Sequence, residues 1–148
     1  MARVVRYAGG WMFDLVMAGW DVAVHITDPT DARPMHILGA HPVPLDRSLA
    51  ALGRVPRPRA LAVDAELYRS DAGVRRVVRE AVGRLTEVRL WGDDRPADLD
   101  GRTGSVSHQL SVAARAFKAQ ALAAVAVPAD AMDPTEMFYF PAAGRMAS

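Results

Sequence analysis

The sequence predicts a three-layer α/β domain with a largely parallel sheet and helices on both faces. Three observations predict it. Short apolar or β-branched segments alternate with stretches of helical periodicity. Two of the strand segments are apolar throughout, as strands covered on both faces are. The length is 148 residues, with 51% apolar and 24% charged residues, which suits one domain with its own core. Residues 1–148 are therefore read as a single domain.

The elements follow in order. Residues 4–7 (VVRY) read as a short strand, and Gly9-Gly10 as a turn. Residues 11–18 are helical, with Trp11, Leu15 and Ala18 on one face, and Gly19 is placed to end that helix in a left-handed turn. Residues 21–27 (DVAVHIT) alternate and are β-branched, so they read as a strand closed by Asp28-Pro29. Residues 35–40 (MHILGA) are a further strand candidate, and two prolines in 41–44 lead away from it. The RVPRPR stretch is neither regular helix nor central strand, because each proline lacks an N–H.

Residues 60–66 (ALAVDAE) read as a strand ending in acids, the most central-looking of the set. Ser70 or Asp71 caps the next helix, whose apolar stripe is Val74, Val77, Val78, Ala81 and Val82. Residues 87–91 (EVRLW) form the following strand. A polar loop then feeds a long Ala-rich helix over about residues 106–124, with Leu110, Ala114, Phe117 and Ala121 inward. Residues 135–140 (TEMFYF) complete the set as a last strand.

Composition narrows the chemistry. The chain has no cysteine, which excludes disulfides, thiolate catalysis and Cys-ligated metals. No signal peptide and no span of 18 apolar residues is visible, so a cytoplasmic protein without a membrane segment is expected. Net charge is +1 and the basic residues are nearly all Arg, without the dense stripe that long nucleic acids need. Lys118, in the Ala-rich helix, has no loop context that would make it catalytic.

Ligands of parallel α/β sheets bind beyond the carboxyl ends of the strands. Gly9-Gly10 followed by Asp28 has the offset of a dinucleotide site but lacks G-x-G-x-x-G. Asp64, with Glu66 on the same strand face, is a candidate catalytic carboxylate that could join Asp93 at an adjacent strand end. Residues 101–108 (GRTGSVSH) are the candidate anion nest. Arg102, Gly104, Ser105 and Ser107 would cradle a phosphate just before a helix. A triad of Ser105 or Ser107, His108 and Asp64 or Asp93 lacks the G-x-S-x-G elbow. His25, His36, His41 and His108 show no metal-ligand spacing, and no cofactor is indicated. Met137, Phe138, Tyr139 and Phe140 crowd near the chain end, so they dock on their own sheet or form an exposed edge that pairs in a homodimer.

With every strong catalytic motif missing, the leading expectation is a non-catalytic regulatory or interaction module, sensing a small anionic, phosphorylated ligand. A small enzyme acting on a phosphorylated or nucleotide substrate is the alternative. A weak nucleic-acid binder using Arg54, Arg57 and Arg59, or Arg75, Arg76 and Arg79, ranks third.

Overall fold

A computed structural model describes residues 2–26, 32–44, 60–83, 87–92, 104–128 and 132–140. Helix and strand are mixed, as expected, but the strands form two small sheets rather than one. Contacts divide the chain into two compact units, 1–48 with 107–136 and 49–106 with 137–148.

The first unit opens with α1 (Ala2–Met17). The expected strand at 4–7 and turn at Gly9-Gly10 are therefore both corrected to helix. Packing explains it: Val5, Ala8, Gly9, Gly10, Trp11, Met12 and Phe13 are all buried in α1, and tertiary burial overrides the roughly 1 kcal/mol that each glycine costs a helix. Gly19, at φ 92°, does follow the helix as a left-handed residue.

Strand β1 (Ala23–Ile26) runs parallel to β2 (His41–Pro44), with Ala23 opposite His41 and Ile26 opposite Pro44. Between them lies α2 (Arg33–Leu38), where a strand had been expected. A six-residue apolar run does not distinguish the two by periodicity. The flanking signals decide for helix: Pro34 sits in the first turn, and Gly39 closes the end at φ 80° with its N–H on the carbonyls of His36 and Met35. The two prolines of β2 are compatible with a strand in this two-stranded pair.

In the second unit, β3 (Ala60–Asp64) and β4 (Glu87–Trp91) pair in parallel, Ala60 with Glu87 and Asp64 with Trp91. Their connection contains α3 (Ala65–Ser70) and α4 (Ala72–Gly83). The Asp71 carboxylate caps α4 as expected, accepting from the N–H groups of Gly73 and Val74. Val74 and Val78 of the expected stripe are buried with Ala65, Tyr68, Val88 and Leu90. Arg75 turns back to the carbonyls of Tyr68 and Arg69, satisfying the end of α3.

The larger sheet has the order β3-β4-β6-β5, with β5 at Gly104–Gln109 and β6 at Thr135–Phe140. Leu90 of β4 faces Tyr139 of β6 in antiparallel pairing. At one end the Leu110 N–H donates to the Pro134 carbonyl, and at the other Gly104 lies under the Phe140 ring, so β5 also runs against β6. The expected parallel pairing holds for β1 with β2 and for β3 with β4, while the larger sheet as a whole is mixed. β3 is an edge strand rather than the central one, and β6 is interior. Helix α5 (Val112–Ala124) starts six residues later than expected, because residues 104–109 are extended. Its N-cap is Ser111, whose side chain accepts from the Ala114 N–H.

Candidate functional site

The polar chemistry of the first unit gathers where α5 and β6 meet α1. Lys118 of α5 and Glu136 of β6 are among the most buried residues, 1% and 3% exposed. Their Nζ and Oε2 atoms are 2.7 Å apart. Lys118 Nζ also donates to the Arg6 carbonyl at 2.6 Å. Glu136 Oε2 accepts from the Gly10 N–H at 2.8 Å, and Oε1 from the Trp11 N–H at 2.7 Å. In a regular helix the Gly10 N–H would serve the Arg6 carbonyl. Here that donor also meets the Glu136 carboxylate, and that acceptor the Lys118 ammonium. Burial pushes the Glu136 carboxyl above its ordinary value, and this outweighs the Lys118 charge and the hydrogen bonds that favour the ionised form.

The two glycines let neighbouring side chains approach the α1 backbone closely. A methyl group at Gly10 would lie 2.3 Å from Cγ and Cδ2 of buried Leu110. Gly9 leaves van der Waals space against Val5, Leu38 and the Lys118 stem. The pair that resembled a ligand-binding turn is a close-approach site within a helix, so the dinucleotide reading of the turn is also corrected.

A second cluster is partly open to solvent. Asp14 Oδ2 lies 2.8 Å from His108 Nε2, and Asp14 Oδ1 accepts from the Ser111 hydroxyl at 2.6 Å. The Ser111 N–H adds a bond of 3.2 Å to Oδ2. Partial burial acts to raise the Asp14 carboxyl, but the bonds from Ser111 and the interaction with His108 prevail and hold it below its usual value. The three residue types are those of a hydrolase triad, but the connectivity differs. Ser111 donates to the carboxylate and caps α5, whereas a triad serine donates to the imidazole. The cluster ties α1, β5 and α5 together.

Asp64 lies at the end of β3, where its Oδ1 accepts from the Glu66 N–H and caps α3. Asp93 and Arg102 lie outside the described residues, as does Asp28. Gly104, Ser105 and Ser107 lie in β5 and precede no helix terminus, so the helix dipole invoked for the anion nest acts at Ser111 instead. The Phe140 ring stands 2.3 Å from where a Gly104 side chain would begin, which gives that glycine a packing reason. Among the described residues no group of three His, Cys, Asp or Glu could hold a metal.

Sequence reasoning missed Glu136 and Asp14 and dismissed Lys118. Alternation within TEMFYF was the available signal. It puts Glu136 on the same strand face as Phe138, which is fully buried, so the acid had to find an internal partner. Lys118 is the one lysine of the chain, and it takes the inward position expected of Phe117.

Apolar surface collects at another place in this unit. Val112 is 82% exposed and Met17 70%. Because Asp14 is bonded to Ser111, the end of α1 that carries Met17 and the start of α5 that carries Val112 are adjacent. Phe117 is 40% exposed and stacks on Phe13, with ring centroids 4.6 Å apart. No family model, curated protein or solved structure matches the chain. Among the described residues no helix is long and apolar enough to cross a membrane.

Proposed function

We propose that the chain is a non-catalytic interaction module whose partner docks on the apolar corner formed by Met17, Val112 and Phe117. The exposure of Val112 and Met17, on the two helix ends that the Asp14–Ser111 bond brings together, carries the reading, since apolar side chains grouped on a surface are the usual mark of a docking site. The commitments of the polar groups support the same reading. Lys118 and Glu136 are spent on each other and on the α1 backbone, Ser111 on a cap, and Asp64 on a cap. The anion-sensing form of the proposal rests on Arg102 and its neighbours at 101–103, which lie outside the described residues.

The test uses the full chain as bait with the double variant Met17→Ser, Val112→Ser as control. Both side chains are mostly solvated, so unfolding free energy is expected to change by less than about 0.5 kcal/mol per site. The wild type should retain a defined protein that the variant releases, and that protein should shield residues 112–117 from hydroxyl-radical labelling. Equal retention by wild type and variant, with no shielding at 112–117, would remove the corner as the docking site.

A further inference from the structure

Among the described residues, strand β5 is an edge of the four-stranded sheet, with β6 on one side. The Leu110 N–H points to β6, where it meets Pro134. Backbone groups alternate in direction along a strand, so His108 and Val106 share that direction, and the N–H and C=O groups of Ser105, Ser107 and Gln109 point to the outer edge. The side chains of these three residues are also the exposed ones of the strand.

Edges of this kind are usually protected by a proline, a charged side chain or a bulge. The segment GSVSHQ contains no proline, lysine, arginine or acid. It is also complementary to itself. In antiparallel pairing about a two-fold axis at Ser107, that residue faces its own copy and Ser105 faces Gln109. Each facing pair exchanges two backbone hydrogen bonds, and the small hydroxyls and the amide hydrogen-bond across the strands with no charge opposed to a like charge.

We propose that β5 is the homodimer surface, pairing with β5 of a second copy with Ser107 on the two-fold axis. The occupant is a second copy because the fit is isologous, the same outward residues serving both sides of the pair. Pairing through residues 137–140, the alternative raised by the sequence, would need β6 at an edge. β6 is interior, and its Phe138 is fully buried. The proposal is independent of the helical corner, because Met17 and Val112 lie on other elements.

The chain lacks cysteine, so introduced thiols report contacts without background. In an antiparallel hydrogen-bonded pair the facing Cα atoms are about 5.5 Å apart, within the range that a disulfide spans. Light scattering on the 148-residue chain should give twice its 16.0 kDa mass. Ser107→Cys should convert to a covalent dimer on mild oxidation. Ser105→Cys should not, because its own copy lies on the far side of the axis, and neither should Arg76→Cys, which is exposed on α4. Ser107→Pro removes one outward N–H and should return the protein to the monomer with its circular dichroism unchanged. If that variant loses structure, the near-isosteric Ser107→Cys still decides. A wild type that is monomeric at every concentration overturns the proposal. So does a dimer in which Ser107→Cys links no faster than Arg76→Cys, which would place the interface elsewhere.

Discussion

The residues that matter most to this fold are a lysine and a glutamate with almost no access to water. Two ions removed from solvent must find compensation locally. Lys118 and Glu136 find it in each other and in three backbone groups of α1. Lys118→Met leaves a buried carboxylate, and Glu136→Gln leaves a buried ammonium. Each single change should cost about 3–5 kcal/mol, the usual consequence of orphaning one partner. The double variant should cost clearly less than the sum, since neither charge remains. A double-mutant cycle on urea midpoints checks this, and strict additivity would mean that the pair is not coupled.

At the scale of the element, α1 is decided by what its glycines permit. Gly10→Ala improves intrinsic helix propensity by nearly 1 kcal/mol. The new methyl, however, would lie 2.3 Å from both Cγ, the branch point of Leu110, and its Cδ2, so the whole buried side chain must shift. Overpacking of this kind costs about 1–3 kcal/mol, so net destabilisation is expected, and Leu110→Ala in the same chain should recover part of it. Gly9→Ala meets Val5 and Leu38 methyls at 3.3 and 3.4 Å and the Lys118 stem at 3.8 Å, and should be the milder change in thermal unfolding. For α5 the cap is the exposed point of control. Ser111→Ala removes the acceptor for the Ala114 N–H and the donor to Asp14, and a loss of about 1 kcal/mol or more is expected, read as a lower melting temperature.

For the whole molecule, the two carboxylates act on acid stability with opposite signs. The Asp14 carboxyl is held below its ordinary value near 3.8, so its contribution is complete above that pH and is lost as pH falls through the folded value. The Glu136 carboxyl is raised above its ordinary value near 4.5, so the folded state takes up this proton before the unfolded chain does. Its contribution therefore grows as pH falls through the raised value towards 4.5. Asp14→Asn should flatten the loss of stability below about pH 4. Urea unfolding measured across the acid range checks the sign, and an unchanged acid limb in that variant would show that the Asp14 cluster is not a source of acid lability.

Local signals by themselves determined a mixed helix-and-strand protein and most of its second-unit elements. The β3 and β4 strands, the Asp71 cap and the Val74–Val78 stripe of α4 each depend on neighbours in sequence, where periodicity and capping chemistry act. Only tertiary structure decided the rest. Helix α1 carries two glycines that lower its propensity, and burial of Val5 and of residues 8–13 reverses that preference. MHILGA is too short for its period to separate helix from strand, so Pro34 and Gly39 had to be weighed against an apolar run. The end of the sheet went to β5 and its interior to β6, because strand order is set by long-range pairing that no local pattern records. Lys118 and Glu136 lie 18 residues apart in sequence, on different elements. Their meeting against Gly10 depends on how α1, α5 and β6 pack, which is why a lone lysine and an acid in an apolar strand looked unremarkable until the fold brought them together.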